Sequence, residues 1–332
     1  MAAAALPHKV VLLDYDPALF PPVGFEAEML AAVGASWEAH RCATDAEAVA
    51  VAWDADVVIV QSMRSLLNHT VIGQLQRARC LIRAGAGYDN VDLPLATERG
   101  IMVCNTPTYC TDDVADHAVA LLLGCVRHLP RLDAAMRRGH YARELARPTQ
   151  RMTGRTMGII GLGRIGSTVA RRVAGWQFDL LAYDPYISDE QAAAVGARRV
   201  SLDELLARSD YISLHCLLTE ETRHMIDAAA LAQVKPGLVL VNTARGPVVD
   251  EAALAEALQD GRVWAAGLDV TEQEPLSPDS PLLALDNVIL TPHVAANSPE
   301  ASVDVYRLIC EISAAVLQGQ VPPFVVNPQV LA

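Results

Sequence analysis

The sequence predicts an α/β protein with two doubly wound parallel-sheet domains, one inserted into the other. Three observations predict it. Short apolar runs alternate with amphipathic stretches along the 332 residues, the rhythm of βα units around a parallel sheet. A glycine-rich string, "GIIGLGRIG" at 158–166, joins one apolar run to an amphipathic stretch. Two long helical stretches bracket one complete βα series, which therefore reads as an insertion.

The first series consists of the apolar runs "KVVLLDYD" (9–16), "VVIVQS" (57–62), "CLIRAGAG" (80–87) and "IMVCNTP" (101–107), with amphipathic segments between them. Thr111 then reads as an N-cap, with Asp112, Asp113 and Asp116 in the first turn, where the helix dipole favours anions. The segment "VADHAVALLLGCVRHL" that follows predicts a long, largely buried helix running to Leu129. A second βα series occupies Thr156 to Pro292, and its last run, Asn287 to Leu290, predicts a buried strand. Ser298 as N-cap and Pro299 at the first helical position open a final helix to about Leu317, stopped by Gly319 and Pro322-Pro323. Residues 1–105 with 299–332 are thus expected to form one domain and 106–298 the other, with a ligand cleft between them.

Composition narrows the function classes. The chain is 52% hydrophobic and 20% charged, so it can bury cores and is not disordered. Its net charge is 26 − 39 = −13 and its pI about 5.1. That balance argues against nucleic acid or an anionic membrane as a partner, since both call for clustered Lys and Arg. The start "MAAAALPHK" lacks the order of a secretory signal, and the longest apolar run, Ala118 to Val126, is far short of a membrane span. Seven cysteines (42, 80, 104, 110, 125, 216, 310) are odd in number and contain no CxxC pair. They predict neither a metal site nor a disulfide frame, and a cytoplasmic location.

The glycine string predicts a phosphate-binding turn. Gly161-Leu162-Gly163-Arg164-Ile165-Gly166 follows the strand "TMGII" and opens an amphipathic helix. The first glycine permits the tight turn, the second lets backbone approach a pyrophosphate, and the third lets helix pack on strand. Free N–H groups at the helix start then face the anion. The next run, "LLAYD", ends in Asp184, eighteen residues beyond Gly166. A carboxylate there accepts from ribose hydroxyls and repels a 2′-phosphate, which predicts NAD rather than NADP. A merely structural glycine turn is the weaker reading, because strand, helix and acid all agree.

Three later strand ends carry pointed chemistry. Arg245 follows the strand that closes at Asn242, Asp269 and Glu274 follow "VWAAGL", and His293 follows "VILTP". In open parallel sheets ligands bind outside the carboxyl ends of strands, so Arg245, Glu274 and His293 are expected to converge. Reducing a carbonyl by hydride leaves an alkoxide that needs a proton, and histidine can give and retake one near neutrality. A carboxylate partner, Glu274, keeps a partly desolvated imidazolium protonated. Arg245 offers a planar fork for a substrate carboxylate. Singly, each is better read as an ordinary surface or turn residue; together, beside an NAD turn, they are not.

These strings resemble the D-isomer-specific 2-hydroxyacid dehydrogenases. The match comprises "RAGAGYDNVDL" (83–93), "NTP" (105–107), "GIIGLGRIG" (158–166), "NTARG" (242–246), "LDVTEQEP" (268–275) and "TPHVA" (291–295), in family order. The resemblance implies a Rossmann NAD domain inserted into a flavodoxin-like substrate domain. It implies Arg245, Glu274 and His293 as catalytic residues, and Ala86 and Gly87 as backbone ligands of the substrate carboxylate. It places Asp269 at the nicotinamide amide. With the glycine turn, Asp184, His215 and Thr243, this completes the expected cofactor set. The family is usually dimeric through its cofactor domain, with the long helix after Thr111 involved, so a homodimer is expected.

Within the family, "YDPYISD" and "SLHC" look most like the branch containing the C-terminal-binding corepressors. Ala296 stands where that branch carries Trp, and Leu217 where many members carry Pro. Arg64, in "QSMRSLLNHT", resembles an arginine that phosphoglycerate dehydrogenases place near the distal anionic group of the substrate. With the space left at Ala296, it predicts a polar or anionic substrate tail. His117, early in the long helix, reads as packed or dimer-facing. The expected function is an NAD-dependent dehydrogenase for a small D-2-hydroxy or 2-oxo acid. The alternatives are an NAD(H)-sensing, corepressor-like binding protein and a phosphite-type dehydrogenase on the same residues. A formate dehydrogenase fits less well, because that branch lacks the acid held here by Glu274.

Overall fold

A computed structural model describes residues 6–15, 17, 23–61, 64–146, 149 and 151–331. Residues 1–5, Asp16, Ser62, Met63 and Ala332, on which parts of the readings above fall, lie outside the described residues. The chain forms two compact units, Met1–Cys110 with Asn297–Ala332, and Thr111–Ala296.

In the first unit, β1 (His8–Leu13), β2 (Ala35–His40), β3 (Val57–Val60), β4 (Cys80–Arg83) and β5 (Met102–Asn105) form a parallel sheet ordered β2-β1-β3-β4-β5. Successive strand residues point to opposite faces, and both faces are covered. Val10, Leu12, Ile59 and Ile82 join one core, while Val11, Leu13, Val58, Val60 and Leu81 join the other. That is why the central strands read as unbroken apolar runs. The helix Pro299–Leu317 covers the first of these faces with Val305, Tyr306, Ile309, Ile312 and Val316, at helical spacing. Its N-cap forms as expected, the Ala301 N–H donating to Ser298 Oγ at 2.9 Å.

The second unit holds β6 (Thr156–Ile160), β7 (Asp179–Tyr183), β8 (Ala197–Arg199), β9 (Tyr211–Leu214), β10 (Leu238–Asn242), β11 (Val263–Leu268) and β12 (Val288–Leu290). They form a parallel sheet ordered β12-β11-β10-β9-β6-β7-β8. The connection reverses direction between β6 and β9, so their carboxyl ends border the crevice in which such sheets bind ligands. The helix Thr111–Val126 packs on one face through Leu121, Leu122, Cys125 and Val126.

Two local readings are corrected here. The long helix stops at Val126, and a second helix, Leu129–Arg137, starts after His128 turns the chain at φ +54°. Pro130 has no N–H to continue the first helix. β12 is half-buried rather than buried, because it lies at the sheet edge and pairs only with β11.

Candidate active site

The glycine turn has the geometry that each glycine is needed for. Gly161 lies at φ +86°, and a Cβ there would stand 2.6 Å from the Cys216 nitrogen and 2.7 Å from the His215 carbonyl carbon. A Cβ on Gly166 would stand 2.1 Å from the Gly161 carbonyl oxygen, so a side chain at Gly161 would push off the segment after β9, and one at Gly166 would break the contact of helix with turn. Gly163 is the opposite case. It is exposed, and no described atom lies within 4 Å of its Cβ position. It precedes the helix Arg164–Val173 without a side-chain cap, so the first-turn N–H groups face outward beside exposed Arg164 and half-buried Ile165.

Asp184 follows β7 and is locked onto the turn. Its Oδ2 accepts from the Leu162 N–H and its Oδ1 from the Tyr186 N–H, both at 2.9 Å. It borders a cavity of about 480 Å³ with Tyr183, Pro185, Arg199 and Ser201. At the next strand ends, His215 and Thr243 follow β9 and β10, which pair with Leu214 opposite Asn242. Each carries a buried polar atom, His215 Nδ1 and Thr243 Oγ1, with no hydrogen-bond partner among the described residues. His215 Nε2 meets Ser213 Oγ at 2.8 Å, and burial pushes the imidazole pKa down to about 3, so the ring is neutral.

At the far side of the same sheet, His293 Nδ1 lies 2.8 Å from Glu274 Oε2, both side chains being a little over a quarter exposed. The other oxygen of Glu274 accepts from the Thr271 N–H at 3.1 Å. Burial works against ionisation of Glu274. The hydrogen bond and charge of His293, the Thr271 N–H and the charge of Arg245 outweigh it and hold the carboxyl below its ordinary range. Arg245 follows β10 in extended conformation, its Nη1 donating to the Ala244 carbonyl at 2.8 Å. Its backbone is held by Asn242, whose Nδ2 donates to the Arg245 carbonyl at 2.9 Å. The next residue explains how close the two loops come: a Cβ on Gly246 would stand 1.9 Å from the Thr271 carbonyl. The sequence-predicted Arg245, Glu274 and His293 are therefore brought to one place.

Asp269 is placed differently from a free ligand. Its carboxylate is buried, 1% exposed, and already accepts from the Thr291 hydroxyl (2.6 Å) and the N–H groups of Val294 (3.0 Å) and Ala295 (2.9 Å). Thr271, Gly246 and Thr291 carry structural weight that sequence reasoning did not assign. Their only signal was membership of the matching strings.

The remaining predicted residues belong to the first unit. Ala86 and Gly87 are half-buried in the loop after β4, the Ala86 carbonyl accepting from Asn105 Nδ2 at 2.7 Å. Arg64, about half exposed, donates from Nη1 to the Cys42 carbonyl at 3.2 Å and from Nη2 to the Ala43 carbonyl, with Asp14 Oδ1 at 3.9 Å. Among the described residues no group of three or more His, Cys, Asp or Glu is placed to hold a metal ion, and no helix is long and apolar enough to cross a membrane.

Residues 119–295 match the family model for the D-isomer specific 2-hydroxyacid dehydrogenase, NAD binding domain. A D-3-phosphoglycerate dehydrogenase of Mycobacterium bovis is 44% identical over 274 residues, 82% of this chain and 51% of that protein. The chain thus spans about half the length of such relatives. A glyoxylate reductase of Korarchaeum cryptofilum is 41% identical over 278 residues, covering 82% of this chain and 83% of its own. Among solved structures, a glyoxylate reductase from Paecilomyes thermophila superposes with a TM-score of 0.87 at 30% identity, covering 98% of this chain and 100% of that one. With its two parallel sheets, glycine turn and histidine–glutamate pair, the chain belongs to the D-isomer-specific 2-hydroxyacid dehydrogenase family.

Proposed function

We propose that this protein is an NAD-dependent oxidoreductase that interconverts a small 2-oxo acid and its D-2-hydroxy acid. His293 and Glu274 act as the acid/base pair and Arg245 binds the carboxylate. The observation that carries this is the 2.8 Å contact between His293 Nδ1 and Glu274 Oε2 at strand ends of an NAD-binding domain. With Nδ1 turned to Glu274, Nε2 is the nitrogen left to face a substrate carbonyl. In reduction Nε2 gives its proton to the oxygen that was the carbonyl; in oxidation it takes that proton back. Ionised Glu274 holds the Nδ1–H and stabilises the imidazolium between turnovers. The planar fork of Arg245 orients the carboxylate, which fixes the prochiral face presented.

The cradle suits NAD. Open backbone at Gly163 and the outward N–H groups after it fit a pyrophosphate, and Asp184 fits ribose hydroxyls and opposes a 2′-phosphate. Thr243 Oγ1 and His215 Nδ1 are buried polar atoms suited to a further cofactor contact. When bound, the nicotinamide supplies or accepts the hydride. Gly161, Arg164, Ile165 and Gly166 hold the turn, and Asp269 takes the amide end of the cofactor only through lone pairs its present partners leave. Ala86 and Gly87 are proposed to offer N–H groups to the carboxylate, and Arg64 to meet a polar or anionic tail. Arg64 would first exchange its Cys42 and Ala43 carbonyl partners.

Leu129, Met136 and Tyr141, 55–78% accessible in the segment after the long helix, offer apolar surface to the proposed homodimer. Seven free cysteines, six of them buried, suit a cytoplasmic enzyme. The named relatives, a dehydrogenase and two reductases, favour a 2-hydroxy acid over the phosphite and corepressor-like readings. The test is NADH oxidation with glyoxylate, pyruvate, hydroxypyruvate and 3-phosphohydroxypyruvate. Saturable turnover of at least one is expected; no turnover of any would overturn the proposal.

A further inference from the structure

The turn that carries His293 is held in an unusual conformation. His293 sits at φ +54°, a region that a non-glycine residue keeps only when its surroundings hold it there. Its N–H donates to the carbonyls of Asp269 (2.8 Å) and Thr291 (3.0 Å). The buried Asp269 carboxylate gathers the N–H groups of the two residues that follow, Val294 and Ala295. It also takes the Thr291 hydroxyl at 2.6 Å. From the long helix Thr111–Val126, His117 reaches the same point: its Nε2 lies 3.0 Å from Thr291 Oγ1 and 3.5 Å from Asp269 Oδ1.

Counting donors sets the direction of this chain. An ionised carboxylate only accepts, so the single hydroxyl hydrogen of Thr291 points to Asp269. Thr291 Oγ1 then presents a lone pair to His117, so Nε2 of His117 carries a hydrogen and donates it. The helix behind His117 has no slack. Leu121, one turn on, packs so closely over β11 that a Cβ on Gly267 would stand 2.8 Å from the Leu121 Cβ.

Building on the function proposed above, we infer that His117 is a positioning residue for His293. Its Nε2–H ties a rigid helix to Thr291 and Asp269, and these set where the His293 ring meets Glu274. Without that donor, the Thr291 hydroxyl is held by Asp269 alone, and the left-handed turn loses its tie to the helix. Small displacements of an acid/base group are costly in rate while substrate binding elsewhere is kept. The effect therefore belongs in kcat.

The test uses the full chain and whichever of the four 2-oxo acids above it reduces fastest. His117→Ala is expected to lower kcat about tenfold, with KM and the Kd for NADH within about twofold. His117→Gln, which returns an N–H donor, is expected to recover most of the loss. Thr291→Val should match His117→Ala, and the double variant should lose no more than the worse single one, because both cut the same chain. These variants also serve if His117→Ala fails to fold. A kcat within twofold of the parent in both His117→Ala and Thr291→Val would overturn the inference. So would losses that multiply in the double variant, or a glutamine variant that recovers melting temperature but not kcat. A parent that reduces none of the four acids overturns the proposed function and this inference with it. An active parent with unaffected His117 variants overturns this inference alone.

Discussion

Replacing Glu274 by glutamine tests the acid/base pair most directly, because it removes one charge and little shape. The amide oxygen can still accept from the Thr271 N–H, which now meets Glu274 Oε1 at 3.1 Å. What is lost is the negative charge whose oxygen lies 2.8 Å from His293 Nδ1. Two unit charges about 4 Å apart at an effective dielectric of about 20 interact by about 4 kcal/mol. Both side chains are more than a quarter exposed, so water screens part of this. About 1.4–4 kcal/mol of it remains. Glu274 is held below its ordinary carboxylate range, so in the parent its charge is present throughout neutral pH and disappears only as pH falls through that lowered value. The variant lacks that charge beside His293 Nδ1 at every pH. The limb on which reduction declines with rising pH should move toward acid. On the alkaline side of that limb kcat/KM should fall about 10–10³-fold, whereas at low pH the two proteins should converge. The assay is kcat/KM for 2-oxo acid reduction with NADH across pH 4.5–9. An unmoved limb, or a uniform loss at every pH, would refute the pairing.

Four further outcomes follow from the same geometry. His293→Ala should cut turnover about 10²–10⁴-fold while tryptophan-quenching titration shows NADH binding unchanged; near-parent turnover would remove His293 from the chemistry. Arg245→Lys keeps charge but not the fork, so it should stay strongly impaired, and activity within a few-fold of the parent would show that no bidentate carboxylate contact is made. The parent should prefer NAD over NADP in kcat/KM, and Asp184→Ala should narrow that preference; equal efficiencies in the parent would contradict the role of Asp184. Finally, the folded pKa of His215, about 3, lies below its ordinary value of 6.5. Between those values the unfolded chain binds the extra proton, so stability is full above the ordinary value and falls with pH, by at most about 1.4 kcal/mol per unit. Urea unfolding between pH 4 and 7 should show a shallower acid slope for His215→Gln, and identical slopes would discard the buried neutral ring.

What was legible in the sequence was local. Apolar runs such as "VVIV" announced central strands because both faces of a parallel sheet are buried. The glycine turn and Asp184 were legible because strand, tight turn and helix follow each other within one short segment, where sterics decide. Less regular pieces escaped. β2, "ASWEAH", is half polar because it is an edge strand, and β8 has three residues, so neither stood out as an apolar run. Half-burial of β12 is likewise an edge effect that its own composition does not reveal.

The site divides the same way. Residue types nominated Arg245, Glu274 and His293, but no spacing rule could say that Glu274 would turn its Oε2 to His293 Nδ1. Asp269 was read as a cofactor ligand from a string match, and no string could show that its carboxylate also accepts from Thr291, Val294 and Ala295. His117 read as a packed or dimer-facing helical residue, yet it meets Thr291 across 174 positions of chain. Periodicity and turn chemistry act over a few residues and can be read in a string. A hydrogen bond between a helix and a distant strand end exists only once the sheet order has brought the two together, and that order was the tertiary structure's decision.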